Sequence, residues 1–140
     1  MNFSALETWA PRVLSVLRIV TALVFLEHGL MKLIGFPAPQ PGVPHPLPLL
    51  LQVAALLETI GTPLLFVGLF TRPVAFLLSG EMAIAYWTVH AQHGLYPVLN
   101  MGEPAVLYCF IYFFLVFAGP GPWSLDVILG IERAHKAVEQ

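Results

Sequence analysis

The stretch "RVLSVLRIVTALVFLEHGLMKLI", Arg12 to Ile34, decides the fold. At about 1.5 Å of rise per residue it is long enough, as a helix, to cross a bilayer core of about 30 Å. A helix on the surface of a soluble domain carries a continuous polar face, and this stretch has none. It is nevertheless not purely apolar. Arg18 sits in its first half, and Glu27, His28 and Lys32 crowd its second half. A charge at the bilayer centre costs about 2.5–3.5 kcal/mol on insertion scales, so it normally faces protein or water and has a partner. The stretch is therefore a membrane span whose few polar side chains need explaining.

The same pattern continues along the chain. Of 140 residues, 58% are hydrophobic and 10% charged. Ordinary soluble domains have about 45–50% and about 25%. The apolar excess falls into four blocks, about 12–34, 47–70, 73–91 and 102–119, separated by segments rich in proline and glycine. The expected fold is an all-α membrane protein, a four-transmembrane-helix bundle forming one domain over residues 1–140. Residues 1–11 read as an interfacial lead, with Trp9 at headgroup level and Pro11 in the first helical turn. "GFPAPQPGVPHP" (35–46) cannot continue a helix. Pro63, after Gly61 and Thr62, predicts a kink whose freed carbonyl turns toward a neighbouring helix. "TRP" (71–73) is a tight connection, so the second and third blocks should be antiparallel neighbours. The segment Val127–Gln140 suits a short amphipathic surface helix. Apolar sequence from Val13 is too long for a signal-peptide core and no small-x-small cleavage site follows, so the first helix is expected to stay as a span.

Basic residues are retained on the cytoplasmic side of membrane proteins. With four spans, Arg12, Arg18, Arg72, Arg133 and Lys136 fall on one side, and only Lys32 lies toward the other. Both termini are then cytoplasmic, the loops with His45 and His93 face outward, and the location is the inner (plasma) membrane as a multi-pass protein. The lipid bilayer is the first partner. A net charge of −2 argues against nucleic acid. Cys109 is the one cysteine, which excludes an internal disulfide or a CxxC redox pair. Its neighbours "LYCFIYFF" favour a protonated thiol packed as a small hydrophobe.

Helix geometry narrows the candidate site. His28 and Lys32 are four apart and share a face, while Glu27 and Met31 share the adjacent stripe. Gly29 and Gly35 offer close approach to another helix. Glu58 is followed by Gly61 and Thr62, and Glu81 lies beside Ser79, Gly80 and Ala83. Small residues of this kind mark helix contacts in membranes, so both carboxyls should point inward. Arg18 and Lys32 are the cations that could serve two of the three glutamates Glu27, Glu58 and Glu81. A glutamate left without a cation, beside a histidine, suits a proton relay or a hydrogen bond to a quinone carbonyl. The alternative is a set of structural pairs holding the helices in register. A metal site from His28, His90 and Glu103 lacks the close ligand spacing such sites show, so no metal is expected.

Four of these stretches carry a resemblance. "FLEHGLMKL" (25–33), "ETIGTPLLFVGLFTRPVAFLL" (58–78), "EMAIAYWTVH" (81–90) and "GPGPWSLD" (119–126) resemble the motifs of the DoxX family of membrane proteins, over about Arg12 to Asp126. The chain departs from that pattern after the second-span glutamate, where Gly61 is followed by Thr62 and Pro63 rather than a second glycine. The resemblance implies a four-helix inner-membrane protein. It implies relatives that are subunits of thiosulfate:quinone oxidoreductases or belong to thiol and oxidative-stress complexes. It also implies Glu27, His28, Lys32, Glu58, Arg72 and Asp126 as characteristic polar positions. The expected ligand is a quinone at Glu27, His28, Lys32, Glu58 and Glu81, with Arg72 and Asp126 as a structural pair. The chain has no haem, flavin or iron–sulfur motif, so a redox partner protein would supply electrons. A homo-oligomer fits a chain this small. Competing readings are a non-catalytic accessory or scaffold protein and a small transporter.

Overall fold

The computed structural model describes residues 3–132. Its helices are α1 (Phe3–Ile34), α2 (Leu49–Val67), α3 (Thr71–Ala85), α4 (Pro97–Asn100), α5 (Glu103–Ala118) and α6 (Leu125–Ile128). The chain leaves α3 through a π-helical turn, Tyr86–His90, and a 3-10 turn, Ala91–His93. No strand occurs among the described residues. Of the surface helix expected over Val127–Gln140, residues 133–140, with Arg133 and Lys136, lie outside them, while α6 ends at Ile128 and residues 129–132 form turns.

α1 begins at Phe3 rather than Arg12, so the expected interfacial lead is helical and Pro11 sits inside the helix. Proline removes one helical hydrogen bond, and Leu6, Glu7 and Ala10 are strong enough helix formers to carry the turn past it. Among the described residues, three segments are long and apolar enough to cross a bilayer: Leu6–Ile34, Leu49–Val67 and Thr71–His93. The fourth apolar helix, α5, has 16 residues. At 1.5 Å per residue it spans about 24 Å, short of the about 30 Å hydrocarbon core.

α1 packs on α2, α3 packs on α5, and α2 on α3, while α1 and α5 touch only lightly. One end of the bundle, the turn end, holds the start of α1, the α2–α3 turn, the end of α5 and α6. The opposite loop end holds the proline-rich 35–48 segment and the start of α5. Phe25, Leu65, Leu78, Tyr112 and Leu115 form the buried centre. Val16, Val20 and Leu23 of α1 and Phe110, Phe114 and Phe117 of α5 face outward. Ser15, Arg18, Lys32, Glu58 and Glu81 face inward. An apolar skin over a polar-studded interior is what a lipid solvent demands of a helix bundle.

Two glycines set the closest approaches. A Cβ on Gly29 would lie 2.4 Å from Thr59 Oγ1 and 2.9 Å from Thr59 N, so α1 and α2 meet backbone to backbone there. α2 runs unbroken through Pro63 and ends at Gly68, whose φ of 70° is left-handed. A Cβ on Gly68 would lie 2.5 Å from Ser124 Cβ and 2.9 Å from Arg18 Cζ.

Candidate functional site

The close contact at Gly29 brings the last turn of α1 against the middle of α2. Lys32 extends along α2, and its Nζ donates to both Glu58 carboxylate oxygens, at 2.5 and 2.6 Å. Lys32 is 8% exposed and Glu58 0%. The pair is almost wholly withdrawn from solvent on both sides. Glu81 reaches the same place from α3 and is 9% exposed. Both of its oxygens are buried, and no nitrogen or hydroxyl donates to them. Its charged neighbours are Glu58 and Lys32, with the Glu58 carboxyl within hydrogen-bonding reach. Ionised carboxylates only accept, so a bond between the two carboxyls forms only when one of them carries a proton.

α5 supplies an aromatic wall. Tyr112 is fully buried, its hydroxyl has no partner, and it stands within electrostatic reach of Glu81 and Glu58. Phe25 of α1 meets Tyr108 at 4.7 Å between ring centroids and Tyr112 edge-on at 5.2 Å. His28, half-buried, stacks on Phe25 at 5.3 Å and meets the edge of Tyr108 at 5.9 Å. Its Nδ1 is buried with no partner.

Of the five residues read from the sequence as a binding set, the structure brings Lys32, Glu58 and Glu81 together and puts His28 at the border, across the aromatic rings. Glu27 is not among them. It is exposed on the outside of α1, within electrostatic reach of Tyr108. Helical rotation explains the split. Residues four apart share a face, so His28 follows Lys32 inward, and Glu27 is carried round toward the lipid side. The sequence reading missed Phe25, Tyr108 and Tyr112. Two tyrosines four apart in "YCFIY" were the available signal, masked by a uniformly apolar helix.

The turn end holds a second polar network. Arg18 is fully buried. It donates to the carbonyls of Leu65 and Phe66 at 2.5 Å each, of Trp123 at 2.5 Å and of Pro120 at 2.8 Å. It does not serve a glutamate. It covers the last carbonyls of α2, where Leu65 also accepts the Gly68 N–H, and ties them to the "GPGPWS" turn. The expected Arg72–Asp126 pair is also corrected. The Asp126 carboxylate accepts the backbone N–H groups of Phe70 (2.7 Å) and Thr71 (2.8 Å), the free donors at the start of α3. Phe70 itself offers no side-chain cap, and an acid from far along the chain takes that role. Arg72 turns to the Glu132 carboxylate and to the Val116 and Phe117 carbonyls at the end of α5. Ser124 caps α6 through Val127 N–H.

Elsewhere, Ser79 Oγ donates to the Cys109 carbonyl at 2.9 Å, and the thiol is half-buried. His90 Nδ1 lies 3.1 Å from the Asn100 carbonyl, and Glu103 is exposed at the start of α5. Among the described residues, no three His, Cys, Asp or Glu side chains come together to hold a metal. Apolar grooves open on the surface of the described residues, and two of them flank the bundle. One, of about 410 Å³, follows the loose α1–α5 seam at the turn end, lined by Leu14, Leu17, Phe114 and Ala118 among others. The other, of about 200 Å³, lies between α2 and α3 around Ile60 and Leu77. Neither contains Lys32, Glu58 or Glu81.

The DoxX family model matches residues 13–91 of this chain. An uncharacterized protein of Haemophilus influenzae is 44% identical over 128 residues, covering 86% of this chain and 93% of its own length. No solved structure matches.

Proposed function

From the premise that this chain belongs to the DoxX family, we propose that it is a quinone-linked redox subunit of the inner membrane, with α5 as a fourth span and both termini cytoplasmic. One observation carries the reading. Two polar groups, His28 Nδ1 and the Tyr112 hydroxyl, are buried without partners beside an aromatic stack and next to the Lys32–Glu58 pair. A buried polar group left unpaired costs about 1–3 kcal/mol, and more in hydrocarbon, so groups like these favour a ligand that completes them. A quinone head fits that requirement. It is flat, so it stacks on Phe25, Tyr108 or His28, and it carries carbonyl oxygens that accept from His28 and Tyr112. The α1–α5 seam supports the same reading, because its apolar groove near Leu14, Leu17 and Phe114 suits an isoprenoid tail. When bound, the quinone supplies the two-electron chemistry. The chain's own residues bind and orient the head, and a partner protein delivers electrons.

Protein purified in mild detergent tests this through native mass spectrometry and solvent extraction. The expected result is one quinone per chain, depleted in Glu58→Gln, where Lys32 loses its counter-charge and the site its alignment. Wild-type protein without quinone, carrying instead a stoichiometric partner chain, overturns the reading in favour of an accessory or scaffold role. Full retention of quinone in Glu58→Gln removes Glu58 from the site.

A further inference from the structure

We propose that Glu58 and Glu81 form a binding site for one proton, held between the two carboxyls and charge-balanced by Lys32. The inference stands on the geometry of the cluster and does not need a quinone. Lys32 is committed to Glu58 through both carboxylate oxygens. Glu81 therefore stands in the same buried space with its two oxygens unserved by any donor among the described residues and the Glu58 carboxyl beside it. Two adjacent carboxyls around a single cation do not both ionise in a medium that solvates neither. One proton leaves the cluster neutral, with one ammonium and one carboxylate, and supplies the hydrogen that a carboxyl–carboxylate bond requires.

The groups facing the pair are few. α1 contributes Lys32, with His28 behind the Phe25 and Tyr108 rings, and α5 contributes Tyr112 and Tyr108. Arg18, the other buried cation on α1, is occupied with carbonyls at the turn end. A metal cation would need several oxygen ligands and would sit against the Lys32 ammonium, so a proton is the ligand that fits. The Tyr112 hydroxyl stands within electrostatic reach of both carboxyls and has no hydrogen-bond partner of its own.

Infrared spectroscopy of the full chain in detergent near neutral pH tests the site, because a protonated carboxyl has a carbonyl stretch that a carboxylate lacks and that shifts in deuterated water. Wild-type protein should show one such band. Glu81→Gln should lose it. Lys32→Met should raise it about twofold, since both carboxyls then take protons. Carbon-13 labelling of glutamate assigns the band in the unmodified chain, so a variant that fails to fold leaves the question decidable. A wild-type chain with no protonated glutamate, or a band that survives in folded Glu81→Gln, overturns the proposal. The band in quinone-free protein supports the proton site while the quinone reading fails, so the two outcomes separate.

Discussion

At the turn end, Arg18 is wholly buried and spreads its guanidinium over four carbonyls, while Asp126 takes two backbone N–H groups with its two oxygens. Toward the loop end, Glu81 is nearly as buried, yet both its oxygens lack donors, and the Tyr112 hydroxyl and His28 Nδ1 beside it are unpaired. Both regions sit in one bundle and use the same kinds of side chain. The difference lies in how the charged groups are satisfied, since at the turn end it is the Thr71 hydroxyl, and not Arg18 or Asp126, that lacks a partner. A network in which each strong group has a partner rigidifies the fold. A network with unmatched groups is either a defect or a site that something else completes. The turn end should therefore answer substitution with lost stability, and the loop half with altered binding at nearly constant stability.

The sharpest way to break that contrast is Arg18→Met. It keeps an apolar stem, removes the donors to four carbonyls, and leaves Asp126 without the cation it faces. Removing one member of a buried charge network costs about 3–5 kcal/mol. The expected result is a large drop in the thermal midpoint in detergent, or failure to accumulate folded protein. A midpoint unchanged from wild type would mean that the carbonyls need no cover and that the turn end is not the anchor of the bundle. Asp126→Asn should come next. The amide keeps one acceptor for Phe70 or Thr71 but loses the charge and the second acceptor, at about 1.5–3 kcal/mol for a hydrogen bond to a charged group. Glu132→Gln, at the half-buried Arg72 pair beside it, should cost under about 1 kcal/mol, because solvent already screens that pair. A thermal melt of the three variants orders these effects, and an inverted order would contradict the geometry.

Much of this architecture is legible in the residues. The length and apolarity of the blocks place α1, α2 and α3, and Gly29 marks the α1–α2 contact because only a missing side chain permits that approach. The inward aim of Glu58 and Glu81 follows from the small residues around them. Other features depend on quantities that a linear pattern does not carry. The choice between Glu27 and His28 as the inward residue turns on the rotation of α1, which is set by α2 through Gly29 and not by α1 alone. Asp126 and Arg72 share an end of the bundle, so pairing them is reasonable from topology. Two free N–H groups at the start of α3 compete for that acid, and they win because a carboxylate can take both at once. Tyr108 and Tyr112 are invisible to periodicity, since α5 is apolar on every side and any face could be the inner one.

The smallest expected effect is also the most informative about the loop half. Tyr112→Phe deletes one hydroxyl from a side chain that is 0% exposed and leaves the ring contacts with Phe25 and Tyr108 intact. At the turn end, deleting a polar atom of Arg18 or Asp126 removes a bond. Here it removes an atom that has none, and an unsatisfied buried group carries a penalty of about 1–3 kcal/mol. Ligand-free Tyr112→Phe should therefore unfold at the same temperature as wild type or slightly higher, with a gain of up to about 1 kcal/mol after the loss of any ordered water. Its retention of quinone should fall, because the group that completes the ligand's hydrogen bonding is gone. A destabilised variant would show that the hydroxyl already has a partner within the folded chain. The loop half would then belong with the turn end as structural, and the argument from unmatched groups to a bound ligand would lose its footing.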